Sequence, residues 1–461
     1  MSSSQSLGAG TAKINDTGHF IGAGRETMMG TKKKVAFHTL GCKLNFAETS
    51  TMARSLPEDL YEKVPANKNA DIYIINTCSV TEAADKKCRQ AVKHFIKQSP
   101  EAIIAVVGCY AQLNPVKISS IPGVDLVLGT NEKFDLAGYL ENRTKAPSAE
   151  VHSCRLDGKD SFFPSSSVGD RTRSFLKIQD GCDYKCSYCT VPMARGRSRS
   201  PSVEMLLSEA TRLAGLGVKE VVMTGVNIGD FGKQSGTSLY LLLRELVKVS
   251  GIERFRISSI EPDLLTDELI GLAADEPKIL PHFHIPLQSG SDRILGLMRR
   301  RYKKQLFSDT VNNIKKTIPM AGIGADVIVG FPGESDSDFE DTFNFLHDQP
   351  VSYLHVFNFS ARPGTPAATM PEKVPPGTRE QRSKRLILLS DNKHLEFCRL
   401  NIGLEASVLF EHKRTGSLIS GFTGNYLKTE YRWQAALEGN IRKMRLTGIS
   451  GQGRMTGELT D

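Results

Sequence analysis

The stretch GCDYKCSYC at 181–189 places Cys182, Cys186 and Cys189 at Cys-x3-Cys-x2-Cys spacing, directly after the strand-like SFLKIQDG at 174–181. Three thiolates this close together can share one metal centre. Structural zinc wants four protein ligands, and no further cysteine or histidine follows at zinc-finger spacing, so a zinc site would have to borrow a distant ligand. A cubane 4Fe–4S cluster matches the donor set better, because three cysteines leave one iron open for a substrate or cofactor.

Downstream of this run, strand patterns alternate with helical ones. KEVVMTG (219–225), RFRISSI (254–260), HFHIPL (282–287), IGADVIVG (323–330) and YLHVFN (353–358) follow SFLKIQDG, with helical stretches such as VEMLLSEATRLAGLG (203–217) and SLYLLLRELVKVSG (238–251) between them. Six β/α units predict a partial (β/α)6 barrel, with its chemistry at the C-terminal strand ends.

Upstream, KKVAFHTLGC (33–42), DIYIINTC (71–78), AIIAVVGC (102–109) and VDLVLGT (124–130) read as strands, with a helix in TEAADKKCRQAVKHFIKQS (81–99). Short apolar strands separated by helices imply a parallel α/β sheet covered on both faces. The first three strands end on Cys42, Cys78 and Cys109. Neighbouring strands run about 4.8 Å apart, so three thiols at equivalent strand ends can converge. Singly each would pass as a buried core cysteine; together they predict a second metal centre. Cys88, Cys154 and Cys398 fit neither pattern and read as structural or incidental.

The pattern fails around RTKAPSAE (143–150) and DSFFPSSSVGDRTR (160–173), a linker by composition. Near the C-terminus EASVLFEH, SLISGFTG, YLKTEYRW, NIRKMRLTGIS and RMTGEL are short strands divided by turn residues, as in a small antiparallel β-barrel. The chain thus divides into a disordered extension (1–31), a parallel α/β domain (32–143), a linker (144–167), the barrel domain (168–398) and the β-barrel tail (399–461).

Composition narrows the setting. The 461 residues are 39% hydrophobic and 24% charged, the balance of an ordinary folded multidomain protein. No apolar run approaches the roughly 20 residues that span a bilayer, and the first 30 residues lack the order of a secretory signal. Nine cysteines, an odd number, argue against a disulfide framework and for metal or redox chemistry in the cytoplasm. A net charge of +8 permits a nucleic-acid partner without demanding one.

The cysteine run, with Tyr188 immediately before its third cysteine, resembles the radical S-adenosylmethionine (SAM) superfamily. The resemblance implies SAM bound at the open iron and cleaved to a 5′-deoxyadenosyl radical. TGVN (224–227) stands where that superfamily grips the SAM amino group, and HIPLQSGSD (284–292) and ADVIVGFPGE (325–334) put polar and glycine residues at strand ends. Tyr188, Gly225, Asn227, Glu261, Gln288 and Asp326 are therefore candidate cofactor contacts, although strand-end turns use the same residue types.

The doubled three-cysteine pattern followed by a small β-barrel resembles the methylthiotransferases over residues 33–461, the tail looking like a TRAM module, which is associated with RNA binding. Membership would imply two 4Fe–4S clusters, a radical cluster on Cys182, Cys186 and Cys189 and an auxiliary one on Cys42, Cys78 and Cys109. One SAM would donate a methyl group to sulfur and another would supply the radical. Partners would be tRNA, an electron donor and a sulfur source, with no membrane. TLGCKLNFAET (39–49), VPMARGRSR (191–199) and TGVNIGDFG (224–232) look most like the MtaB group, which converts N6-threonylcarbamoyladenosine (t6A) at position 37 of tRNA to its 2-methylthio derivative. Isopentenyladenosine enzymes typically carry GCQMN where this chain has Lys43 and Leu44, and ribosomal-protein enzymes GCPKN. Methylthiolation of isopentenyladenosine-37 or of a ribosomal-protein aspartate is the alternative activity, and an iron–sulfur RNA-binding scaffold the non-enzymatic one.

Arg195, Arg197 and Arg199 follow the cluster loop, and Arg300 and Arg301 follow LQSGSDRILGLM (287–298). Clustered arginines near strand ends can clamp phosphates and stack on bases. In the tail Lys413, Arg414, Arg442 and Lys443 interleave with Tyr426, Tyr431 and Trp433, a pattern suited to single-stranded RNA and equally to a solvated charged face. Since all six proposed ligands lie upstream, the tail reads as separable from the metal chemistry.

Overall fold

The computed structural model describes residues 31–78, 82–156, 161–169 and 171–460; the extension expected over 1–31 lies, all but its last residue, outside them. The N-terminal domain is a six-stranded, wholly parallel sheet of β1 (Lys33–Thr39), β2 (Tyr61–Val64), β3 (Ile72–Thr77), β4 (Ile103–Gly108), β5 (Leu126–Leu128) and β6 (Glu150–His152), in the order β2-β1-β3-β4-β5-β6. Every residue of β3 and β4 is buried, as two-sided cover requires. Tyr73, Ile75, Ile104 and Val106 pack on the helix Glu82–Gln98, where Tyr73 stacks on Phe95 with ring centroids 4.4 Å apart. Ile72, Ile74, Ile103 and Ala105 face the opposite layer, with Met52 of the helix Lys43–Ser55. The sequence reading misses β2 and β6. Both are short, charged edge strands without an apolar run, and β6 falls inside the stretch read as linker. Its pairing with β5 carries the sheet into that stretch.

Six parallel strands follow: β7 (Ser174–Lys177), β8 (Glu220–Thr224), β9 (Arg254–Ile257), β10 (His282–Gln288), β11 (Gly322–Val329) and β12 (Tyr353–Asn358). They form two three-stranded sheets linked by the bridges Phe255↔Ile279 and Ser259↔His284, which makes the expected partial barrel. Leu176, Val221, Met223, Phe255 and Ile257 point outward into the largest core. By the period-two rule the alternate residues Phe175, Val222, Arg256, His284 and Asp326 line the interior. The helices on the outer face begin where the sequence marks them: Ser202, Ser238, Thr266 and Ser335 each accept an amide hydrogen bond from the first turn. Each cap contributes about 1 kcal/mol.

A 25-residue helix, Pro376–Leu400, runs past β12 and leads into the tail. There β13 (Glu405–Thr415), β14 (Leu418–Thr423), β15 (Lys428–Arg432), β16 (Ile441–Ile449) and β17 (Met455–Leu459) close into a barrel, in the order β13-β14-β15-β17-β16. The expectation of an antiparallel barrel needs correction, because β15 and β17 pair parallel. Parity forces this: up and down strands cannot alternate all the way round a ring of five.

The tail is also less separable than expected. Its β14–β15 turn is seated against the N-terminal ends of the large barrel's strands. Arg254 donates to Phe422 O (3.2 Å) and Ser407 Oγ (2.8 Å), Arg256 to Gly424 O (2.9 Å), and Asn425 to Met320 O (3.0 Å). Tyr426 stacks on His282, with centroids 4.4 Å apart. Among the described residues no helix is long and apolar enough to cross a membrane.

Candidate active site

The loop after β7 carries Cys182, Cys186 and Cys189. Gly181, at φ +71°, opens it: a Cβ there would lie 1.9 Å from Arg197 O, so only glycine lets the loop lie against 196–199. Asp180 N–H donates to Arg199 O (3.0 Å) and Cys182 N–H to Gly196 O (3.1 Å) across that contact. Every thiol of the three receives a donor. The Tyr184 amide reaches Cys182 Sγ (3.4 Å), the Val191 amide Cys189 Sγ (3.4 Å) and the Arg300 guanidinium Cys186 Sγ (3.1 Å). Burial pushes the Cys182 thiol up to about 12 and Cys189 to about 11. Soft donors met by N–H groups suit an iron–sulfur cluster.

Gln179, which sequence reasoning passed over, joins this loop to the TGVN turn. Its amide nitrogen donates to Asp180 O, Gly181 O and Ser198 Oγ, and its oxygen accepts from Val226 N–H (2.9 Å) and Asn227 N–H (2.8 Å). A Cβ on Gly225 would come within 2.9 Å of that oxygen, which is why glycine stands there. Asn227 is buried; its amide nitrogen donates to Asp230 Oδ2 (2.9 Å), while its Oδ1 has no partner among the described residues. An orphaned acceptor in this position fits a ligand's ammonium.

The other candidate cofactor contacts separate into two groups. Tyr188, Gln288 and Asp326 line a cavity of about 240 Å³ beside Cys189. Gln288 sits at φ +71° just after a register shift in β10, a bulge fastened by Tyr302, whose hydroxyl donates to the carbonyls of Pro286 and Leu287. Burial alone would raise the Asp326 carboxyl, but hydrogen bonds from His284 (3.1 Å) and His355 (3.3 Å) outweigh it and hold the group well below the usual range. Glu261 does not line that cavity; it is paired with Arg300, and burial pushes its carboxyl up to about 7.

The N-terminal cysteines stand at the ends of three adjacent strands, β1, β3 and β4. Gly41 (φ +126°) and Gly108 (φ +96°) permit the crowding: a Cβ on Gly41 would lie 2.6 Å from Cys78 Cβ, and one on Gly108 2.5 Å from Asn76 Oδ1. Asn45 and Asn76 lash the ends together. Asn45 donates to Thr77 O (2.9 Å), Asn76 to Asn45 O (3.0 Å), and the Cys42 thiol to Asn45 Oδ1 (3.2 Å). Cys78 and Cys109 are buried and Cys42 exposed. This donor set too is soft and fits an iron–sulfur cluster. Cys88 and Cys398 are buried in hydrophobic clusters, and Cys154 is exposed in the linker.

Two of the expected RNA-facing arginines are not available to RNA. Arg195 is buried in a charge cluster, donating to Glu48 Oε1 (2.9 Å) and Asp180 Oδ1 (3.0 Å), alongside Lys133 and Lys177. Arg300 is equally buried, between Glu261 and Cys186. Arg199 is largely committed to Asp180 and to the carbonyls of Ser161 and Arg195. The physical reasons differ: the cluster loop folded against the N-terminal domain buries Arg195 on Glu48, whereas Arg300 is drawn inside the barrel domain by Glu261 and Cys186. Arg197 and Arg301 stay exposed, Arg301 lying 3.8 Å over the Tyr184 ring. In the tail Lys413, Arg414 and Lys443 are exposed and Arg442 is half-buried, with Arg414 stacked 4.8 Å over Trp433.

Two cavities connect the N-terminal and barrel domains. One, of about 410 Å³, is lined by Cys42, Lys43, Arg173, Gly225, Arg256 and Tyr426 among others. A second, of about 610 Å³, shares Phe46, Arg171, Arg173 and Phe175 with it and extends outward to His412 and Lys413 of the tail.

Residues 34–129 match the Uncharacterized protein family UPF0004 and residues 176–346 the Radical SAM superfamily. The threonylcarbamoyladenosine tRNA methylthiotransferase MtaB of Bacillus subtilis is 39% identical over 89% of this chain and 93% of its own length. This chain belongs to the radical SAM tRNA methylthiotransferases. MtaB of Aquifex aeolicus is 40% identical over 82% of the chain and 92% of its own length. The tRNA-2-methylthio-N(6)-dimethylallyladenosine synthase of Acetivibrio thermocellus, 33% identical over 92% of the chain and 91% of its own length, is similar at a lower level. Among solved structures the radical S-adenosylmethionine methyltransferase TsrM of Kitasatospora setae shares the fold, with a TM-score of 0.53 at 13% identity over 73% of this chain and 77% of that one. Membership brings with it a 4Fe–4S cluster, SAM and a tRNA substrate for this methylthiotransferase.

Proposed function

We propose that this methylthiotransferase adds a methylthio group to C2 of t6A at position 37 of tRNA, in the cytoplasm, with Cys182, Cys186 and Cys189 holding the radical cluster and Cys42, Cys78 and Cys109 a second, auxiliary 4Fe–4S cluster. When bound, the clusters and SAM supply the radical that activates C2 and the methylated sulfur that replaces its hydrogen. The observation that carries this reading is the 410 Å³ cavity, whose lining includes both Cys42 of the N-terminal site and Gly225 of the TGVN turn. A base held there stands between the two cysteine sites.

The chain's own groups supply orientation and exclusion of water. Tyr188, Gln288 and Asp326 line the cavity beside the cluster loop and are suited to hold SAM, with Asn227 Oδ1 free to take its ammonium. Phe175 and Val222, on the inner face, pack on Ala47, so the helix after Cys42 covers the inner face of β7 and β8. Tyr426 covers its base. An electron donor and a sulfur source complete the partners.

The test is a mixture of two anticodon stem-loops, one carrying t6A at position 37 and the other isopentenyladenosine. Methylthiolation of the first alone, read by nucleoside mass spectrometry, is expected; preference for the second overturns the substrate.

A further inference from the structure

A carboxylate-free, cation-lined wall runs along the cavity between the two cysteine sites. Lys43, Arg171, Arg173 and Arg256 all line it, and no aspartate or glutamate does. Arg256 is neutralised by Glu220 at 2.8 Å; among the described residues Arg173 has Glu411 at 3.9 Å as its carboxylate partner and hydrogen-bonds the Tyr426 side chain. Lys43 and Arg171 make no ion pair among the described residues. Arg171 instead lies over the Phe46 ring, its guanidinium carbon 4.3 Å from the centroid. The local field is positive enough to act on Tyr426, whose hydroxyl is lowered against its burial by Arg173 and the other cations around it. Lys43, half-buried in a cavity whose lining carries three guanidinium groups and no carboxylate, favours an anion there.

We infer that Lys43 and Arg171, with Arg173 behind them, form the subsite for the carboxylate of the threonylcarbamoyl substituent. The inference rests on the t6A reading above and deepens it. Position argues for it as strongly as charge does. Lys43 directly follows Cys42, and C2 and the N6 substituent hang from the same six-membered ring of adenine. A base presenting C2 to the Cys42 site therefore carries its N6 substituent into the same cavity. The neighbouring 610 Å³ cavity shares Arg171 and Arg173 and opens towards Lys413, giving the nucleotide a basic entry path. An isopentenyl group offers these cations no counter-charge, so the half-buried Lys43 disfavours it relative to an anionic substituent.

A backbone phosphate is the other anion that could sit here, and the experiment separates the two. Steady-state kinetics are measured with two stem-loops of identical sequence, one bearing t6A at position 37 and one bearing its neutral methyl ester. Wild-type protein is expected to favour the acid by about ten- to a hundredfold in kcat/KM, the worth of a charge-assisted hydrogen bond in a desolvated site. Lys43→Gln and Arg171→Gln, compared at equal iron content, should each raise KM for the acid by about tenfold or more while leaving the ester little changed. Lys43→Arg should restore most of the preference. If either Gln variant weakened acid and ester equally, the ligand would be a phosphate, and the inference would fall. Should the wild-type protein treat acid and ester alike, the carboxylate subsite is wrong while t6A remains the substrate. If it modified neither and turned over an isopentenyladenosine stem-loop, the function proposed above would fall together with the subsite. Arg171 is exposed, so its variant keeps the test decisive where the Lys43 variant folds poorly.

Discussion

The two three-cysteine sites solve one problem by opposite means. Cys182, Cys186 and Cys189 lie in a single eight-residue loop whose backbone amides already face two of the sulfurs. Cys42, Cys78 and Cys109 come from the ends of three adjacent strands, which Gly41, Gly108, Asn45 and Asn76 allow to crowd. The first site is local and the second is a product of the whole sheet. Locality buys robustness, since the loop needs only one glycine hinge and its seat against 196–199. Assembly from distant strands gives the N-terminal site its position instead, facing the barrel across the cavity that also holds Lys43 and Arg256.

The comparison breaks most sharply on removal of one site at a time. With the two clusters proposed above, replacing Cys182, Cys186 and Cys189 together with Ala is expected to abolish 5′-deoxyadenosine formation and to remove about half of the roughly eight irons that two 4Fe–4S clusters would hold. Retention of all the iron by that variant would refute the radical-cluster ligands. In contrast, Cys42→Ala, Cys78→Ala or Cys109→Ala should leave 5′-deoxyadenosine formation running while methylthio product disappears. Normal product from any of the three would remove that residue from the auxiliary site.

The two three-cysteine patterns proposed as sites are both visible in the sequence, but for different reasons. The loop motif announces itself by spacing. The N-terminal set could be found only after the strands were read, because its signal is a common position at strand ends. All six barrel strands are legible as well, since each carries apolar residues at alternate positions that face the outer core. The missed elements, β2 and β6, are edges whose pairing depends on the sheet already present. Arg195 and Arg300 show the limit most plainly. A basic residue beside a motif looks like an RNA contact until the fold supplies Glu48 and Asp180, or Glu261, as buried partners. Glu48 sits in the middle of an ordinary helix, and nothing local marks it as the centre of an interdomain charge cluster.

That cluster sharpens the comparison next, because it ties the helix following Cys42 to the strand preceding Cys182. Glu48, fully buried, meets Lys133, Lys177 and Arg195 at 2.6, 3.3 and 2.9 Å. Glu48→Gln leaves three buried cations with only Asp180 to offset them, and is expected to cost about 3–5 kcal/mol, read as a fall in Tm. Burial would raise the Glu48 carboxyl, but Arg195, Lys133 and Lys177 hold it well below its ordinary value of 4.5. The sign follows from that depression: the contribution is complete above 4.5 and is lost as pH falls towards the folded-state value. The wild-type Tm should therefore drop on acidification below that point, and the Glu48→Gln protein should drop less. Parallel pH profiles for the two would mean that Glu48 is not the titrating latch.

The smallest effect belongs to the tail, and the structure dictates how it must be measured. Deleting residues 399–461 would strip Phe422, Gly424 and Tyr426 from Arg254, Arg256 and His282, so a truncated protein would confound RNA binding with an opened barrel base. Exposed side chains offer a cleaner test. Lys413 and Lys443 project from β13 and β16; Lys413 makes no ion pair among the described residues, while Lys443 lies 3.5 Å from Glu405 at the surface, a pairing worth little. Each cation that neutralises a phosphate contributes roughly 0.7–0.9 to the slope of log K against log salt. The Lys413→Gln, Lys443→Gln double variant should thus lower the tRNA-binding slope by about 1.4–1.8 if both contact the backbone, with Tm unchanged. Of the two, Lys413 should carry its full share, because it lines the outer cavity with Arg171 and Arg173. A slope equal to that of the unmodified protein would place the RNA elsewhere and leave the tail as the plug of the barrel alone. A reduced slope with unaltered discrimination between the t6A acid and its ester would separate the two roles of positive charge in this molecule: surface lysines that hold the RNA backbone, and cavity cations that read the base.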